Sequence, residues 1–171
     1  MVREVITYPN KLLRLKSKDV EKFDSELHTL LDDMYDTMIH QKGVGLAAIQ
    51  VAVPLNVLVI NIPNEEDVQE KSALIEAINP VITHKDGTQV FTEGCLSVPG
   101  FSEDVTRAYH IVVEYFDRDG NKKVMECEDF LAVAWQHEMD HLAGHLFIEK
   151  LSILKRKKFE KEWKKKPKDK N

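Results

Sequence analysis

Cysteine is scarce in this chain. Only Cys95 and Cys127 occur among its 171 residues, too few for a disulfide-stapled secreted scaffold. The pair fits a reducing compartment, where a free thiolate is available for chemistry. Long apolar runs are also missing. The N-terminal stretch MVREVITYPNKLLRLKSKDV contains none long enough for a signal peptide. The longest elsewhere, near residues 57–60 and 131–135, are far too short to span a bilayer. We therefore expect a soluble cytoplasmic protein with no membrane partner. There is no internal repeat and no low-complexity segment before the C-terminus. What the chain does have is 43% hydrophobic residues, enough to bury a full core without crosslinks. Its length fits one domain.

The net charge of −5 conceals an uneven split. Residues 149–171 hold eleven Lys/Arg against four Asp/Glu, leaving thirteen basic and twenty-five acidic residues in the remainder. The body is acidic and the tail basic.

Periodicity outlines the elements. Pro9-Asn10 signals a turn before a short helical segment, KLLRLKS. Asp24 or Ser25 caps a helix in which Leu27, Leu30, Leu31, Met34 and Met38 recur at helical spacing; Gly43 ends it. Residues 56–62 read as a buried strand, and 74–79, 81–84, 88–92, 111–116 and 123–127 as further strands. Asp86-Gly87 and Asp119-Gly120 are hairpin signals between them. Asp129 is expected to cap a helix over 130–143, stopped by Gly144. A last helix covers 152–165, and Pro167 prevents its extension. Strands cluster in the middle with helices at both ends. The fold class is therefore α+β, with mostly antiparallel sheets packed around a central helix and a C-terminal helix beyond it. We expect residues 1–165 to form a single domain and 166–171 a basic, flexible tail.

The central helix carries His137-Glu138-Met139-Asp140-His141. Spacing of i and i+4 puts both imidazoles on one face, one turn apart, where they can share a metal. Glu138 is offset around the helix and suits a general base acting on a metal-held water. Two histidines on a helix face beside an ordinary Glu make the competing reading. Context argues against it, because Glu138 lies among Leu131, Ala132, Val133, Ala134, Trp135 and Leu142, where an unpartnered carboxylate is costly.

A hydrolytic site needs three protein ligands and one open position. A third His six residues past the second, as in one metalloprotease class, meets Phe147 instead; His145 falls two residues short. A downstream Glu, as in another class, falls near Glu160 or Glu162 in the basic tail. Cys95, in Glu93-Gly94-Cys95-Leu96-Ser97, is the better candidate, since Gly94 permits close backbone approach and a thiolate binds iron or zinc strongly. A buried structural role is the alternative for Cys95 and the expectation for Cys127.

Three segments together resemble the peptide deformylase family: GVGLAAIQ at residues 43–50, EGCLS at 93–97 and QHEMDH at 136–141. The resemblance runs from about residue 3 to residue 165. It implies that Cys95, His137 and His141 are metal ligands and Glu138 the catalytic acid/base. It implies further that Gln50 and the backbone N–H of Leu96 polarise the formyl oxygen. The metal would be Fe2+, with Ni2+, Co2+ or Zn2+ able to substitute. The reaction would be removal of the N-formyl group from the initiator methionine of nascent polypeptides. Val44, Gly45, Phe91, Gly94, Phe130, Val133 and Ala134, with part of His137, correspond to the substrate pocket, and Gly45 can pair with the substrate backbone as an added strand. Glu93 and Arg107 are candidates for a pair that orients the ligands, an ordinary ion pair being the alternative. Two positions depart from the family pattern. Ser102 stands where many relatives carry an Arg toward the substrate's peptide oxygens, with Phe101 offering apolar contact instead, and Trp135 is unusually bulky. The basic C-terminal helix is a candidate for docking on ribosomal RNA, a solvated helix end being the alternative. A monomer is expected. The competing functions are an HExxH-type zinc endopeptidase, in which Cys95 is dispensable, and a non-catalytic binder whose fourth ligand is His145.

Overall fold

The computed structural model describes residues 1–165; the expected tail at 166–171 lies outside them. Helix α1 spans Ser25–His40, and the Asp24 carboxylate caps it by accepting from Leu27 N at 3.1 Å. Strands β1 (Gly45–Ala47), β2 (Val57–Ile60), β3 (Ile75–Asp86), β6 (His110–Phe116) and β7 (Lys122–Glu128) form one antiparallel sheet in the order β1-β2-β3-β6-β7. Strands β4 (Gln89–Cys95) and β5 (Val98–Arg107) form a separate two-stranded sheet. Helix α2 covers Asp129–Leu142 and α3 Ile153–Lys165.

The large sheet is buried on both faces at its β1–β2 end, which explains the unbroken apolar run of β2. Alternation sends Val57 and Val59 toward α1, where they meet Leu30, Met34 and Met38. Leu58 and Ile60 face the other way, toward Ala132, Ala134 and Trp135 of α2. Each such buried side chain contributes about 1.5–3 kcal/mol relative to exposure. A third cluster joins Phe101 and Val105 of β5 to Phe147, Leu151 and Phe159, and so fixes α3 to the body.

Several expectations change. Residues 74–79 and 81–84 belong to one strand, because β3 continues past Asn79 (φ +51°) through register shifts while still pairing with β6. β1 and β5 are strands that the sequence pattern does not show: β1 is only three residues long, and β5 has Pro99-Gly100 directly after its first residue. Asp119-Gly120 does join a hairpin, β6 to β7. Asp86-Gly87 does not, since β3 and β4 enter different sheets. The cap position of α2 is Glu128, whose side chain makes no capping bond, and Asp129 takes a left-handed conformation at φ +61°. Gly144 (φ +85°) ends that helix as expected, and a Cβ there would meet Arg14 O at 2.5 Å.

Candidate metal centre and active site

Helix α2 runs behind the β1–β2 end of the large sheet, and the small sheet lies beside it. Gln136 ties the helix in place: its Oε1 accepts from Ala108 N at 3.0 Å and its Nε2 donates to Ala108 O at 2.9 Å. This leaves His137 and His141 on the face toward Cys95, the last residue of β4. Donor atoms of Cys95, His137 and His141 lie within 4.8 Å of one another, and His141 Nε2 is 3.3 Å from Cys95 Sγ. His137 Nδ1 is 2.9 Å from Glu93 Oε1. Donating a proton there leaves Nε2 as the free lone pair. Glu138 Oε1 and His141 Nδ1 are buried without a hydrogen-bond partner among the described residues. One thiol and two imidazoles converging beside an unpartnered carboxylate fit a divalent transition metal, with a coordination position to spare.

Glu93 is held on both sides. Arg107 donates to it through Nε and Nη2, each at 2.8 Å, while Arg107 Nη1 reaches Asp140 Oδ2 at 2.5 Å. Glu93 and Arg107 are each about 95% buried. Burial works against the Glu93 charge, but Arg107 and His137 outweigh it and hold the carboxyl below its usual range. The expected Glu93–Arg107 contact is therefore present and touches a candidate ligand directly. Asp140 had no role assigned from sequence, although it lies inside the HExxH segment.

Electrostatics separate the three groups on α2. Burial pushes the Glu138 pKa up to about 7, despite the attraction of His137. For His137, burial opposes the charged form, yet Glu138, Cys95 and Glu93 outweigh it and raise its pKa well above the ordinary value. Burial and the neighbouring His137 depress His141 well below the ordinary value. Cys127 lies apart in the core, its thiol pushed up to about 11 by burial.

Gln50 reaches the same place from the turn after β1. Its Oε1 accepts from Ala47 N at 2.9 Å, and its Nε2 donates to Ser97 Oγ at 3.0 Å and lies 3.7 Å from Cys95 Sγ. Ser97, quoted in the motif but given no role, thus orients the amide. Gly45 packs against the catalytic candidate: a Cβ there would meet Glu138 Oε2 at 2.5 Å.

A cavity of about 600 Å³ opens onto these groups. It is lined by Val44, Gly45, Gln50, Phe91, Gly94, Cys95, Leu96, Phe130, Val133, Ala134, His137 and Glu138, so all the expected pocket residues meet there. Phe91 and Phe130 stack at 4.9 Å on one wall. Ser102 and Phe101 also line it, although Phe101 packs mainly on Phe147 and Phe159. The protease-type third ligands are not brought in. Phe147 is core, and Glu160 and Glu162 are exposed on α3. His145 turns to Glu149 Oε2 at 3.1 Å. Trp135 fits without disturbing the helix, fully buried 5.3 Å from the Tyr115 ring.

Known proteins resemble this chain over almost its full length. The family model described as polypeptide deformylase matches residues 2–157. A peptide deformylase of Campylobacter jejuni is 61% identical over 170 residues, covering 99% of this chain and 97% of that one. One from Nautilia profundicola is 60% identical over 164 residues, covering 96% and 94%. Among solved structures, the peptide deformylase of Ehrlichia chaffeensis in complex with actinonin superposes with a TM-score of 0.88 at 39% identity, covering 99% of each chain. That of Legionella pneumophila gives 0.86 at 41%, covering 98% of this chain and 100% of the other. Three motifs that meet at one cavity, and similarity that spans almost every residue, place this chain in the polypeptide deformylase family.

Proposed function

We infer that this metal-dependent hydrolase removes the N-formyl group from the initiator methionine of nascent polypeptides, releasing formate, with residues 1–165 acting as one catalytic domain. The observation that carries the assignment of roles is the convergence of Cys95, His137 and His141 beside Glu138, whose buried Oε1 has no hydrogen-bond partner among the described residues. In our reading Cys95, His137 and His141 hold the metal. Ferrous iron is the native ion the family resemblance implies, and nickel, cobalt or zinc also suit the donor set. When bound, the metal supplies Lewis acidity and makes a water nucleophilic near neutral pH.

The chain's own groups do the rest. Glu138 takes the proton of the attacking water and passes it to the amine nitrogen as the C–N bond breaks. The Gln50 amide and the Leu96 N–H donate to the formyl oxygen as charge develops there, each donor worth roughly 3–4 kcal/mol in the transition state. The cavity wall of Val44, Phe91, Phe130, Val133 and Ala134 receives the methionine side chain. Among the described residues β1 has a strand partner on one side only, which leaves an edge for the substrate backbone to join near Gly45. Glu93, braced by Arg107, orients His137.

No helix among the described residues is long and apolar enough to cross a membrane, and we place the enzyme in the cytoplasm as a monomer. Its exposed basic residues on α3, among them Lys157, Lys158, Lys161 and Lys164, form a surface for ribosomal RNA. Truncation at residue 159 is a poor test of that surface, because Phe159 is core. Reversing the charge of those four lysines should abolish salt-sensitive ribosome binding; undiminished binding removes the idea.

The activity itself is tested with formyl-Met-Ala-Ser and anaerobically purified enzyme. Formate is expected, together with loss of the activity in Cys95→Ala. Cleavage of internal bonds in unformylated peptides that survives Cys95→Ala would instead establish the endopeptidase.

A further inference from the structure

Histidine and carboxylate groups converge a second time, on the large sheet. His84 and Asp86 stand two residues apart at the end of β3 and so share one face. Asp86 is registered opposite His110, the first residue of β6. Both rings turn to one carboxylate oxygen: His84 Nε2 is 2.5 Å and His110 Nδ1 3.0 Å from Asp86 Oδ2. Donor atoms of the three residues lie within 4.8 Å of one another, and the two rings are 5.8 Å apart. The far side of His110 is also engaged, with Nε2 at 2.7 Å from Glu126 Oε1 on β7.

This arrangement sets a tautomer problem. A neutral imidazole carries one N–H. If His110 donates it to Glu126, its Nδ1 lone pair faces an Asp86 lone pair at 3.0 Å. A positive charge has to lie between them, either a second proton or a metal ion. The chain supplies no Lys or Arg to Asp86 among the ion pairs of the described residues. The Glu126–His110 contact is also the carboxylate–imidazole pairing that orients metal-bound histidines.

We propose that His84, Asp86 and His110 form a second metal site, taking a divalent transition ion of the zinc, nickel or copper class, with Glu126 orienting His110. Two imidazoles and a carboxylate are the donor set such ions prefer over magnesium or calcium. The site is open to solvent, so water completes the coordination and the ion exchanges readily. It shares no residue with the Cys95 centre and does not depend on the function assigned there.

The test uses zinc as the probe. Holoenzyme and a His84→Asn/His110→Asn variant are dialysed against micromolar zinc and their metal content is counted. The expected result is two ions per chain in the wild type and one in the variant, with equal formate release; equal ion counts overturn the proposal. A second measurement needs no variant. In zinc-loaded holoenzyme, further zinc should shift the ring 15N resonances of His84 Nε2 and His110 Nδ1. Resonances that stay fixed while zinc rises would overturn it equally.

Discussion

The carboxylate of Glu93 stands 2.9 Å from His137 Nδ1, and the same carboxylate takes a two-pronged hydrogen bond from Arg107. One buried acid therefore fixes which His137 nitrogen faces Cys95 and at the same time neutralises an arginine. Glu93→Gln keeps the shape but not the charge. It should weaken metal binding about 10–100-fold, measured by competition with a chelator. It should also destabilise the fold by roughly 3–5 kcal/mol, because Arg107 loses a buried partner. Unchanged metal affinity would leave Glu93 with a purely structural role.

Glu138 gives a pH dependence that can be read in the metal-free protein. Its folded pKa is raised by burial to about 7, above that of an unfolded Glu. The folded state then binds this proton more tightly than the unfolded state. The contribution of Glu138 to stability therefore falls as pH climbs from about 4.5 to about 7, by on the order of 3 kcal/mol. Glu138→Gln removes that loss. Thermal midpoints at pH 5 and pH 8 should show the variant gaining on the wild type at the higher pH; a pH-independent difference contradicts the account.

The two cysteines should behave differently. Cys127 is buried with its thiol pushed up to about 11, so the thiolate is rare at neutral pH and alkylation slow. Cys95 borders the cavity. Iodoacetamide should label Cys95 in metal-free protein, and added metal should protect it. Mass spectrometry that finds Cys127 modified first would contradict this placement.

A side chain at Gly45 requires the Glu138 carboxylate to move, since a Cβ there would come within 2.5 Å of Glu138 Oε2. Gly45→Ala should displace the carboxylate and lower kcat by at least about tenfold, because misplacing a catalytic group by an ångström can cost about a hundredfold. Metal content should be unchanged, as the three atoms nearest that Cβ all belong to Glu138, which is not a candidate ligand.

Much of this centre is legible in the sequence, because its parts are coded locally. The i, i+4 histidines and the spacing of α1 need only one helix each to be read. Cys95 could be nominated from its short motif, since alternatives such as Phe147 lack a donor. What stayed hidden depends on contacts between distant segments. Asp140 gains its role only when β5 brings Arg107 to α2, and Ser97 only when the turn after β1 brings Gln50 to it. β1 is too short to show a period, and the parting of β3 from β4 at Asp86-Gly87 reflects sheet pairing that a turn dipeptide does not encode. The apparent strand break at Asn79-Pro80 is absorbed by a bulge.

The central claim is that Glu138, beside a metal held by Cys95, His137 and His141, moves the proton in deformylation. The most direct test compares wild type with Glu138→Gln at equal, measured metal occupancy, following formate from formyl-Met-Ala-Ser. The account predicts that the variant keeps its metal and loses about 100- to 10,000-fold in kcat. A fully loaded variant that releases formate at the wild-type rate would contradict it.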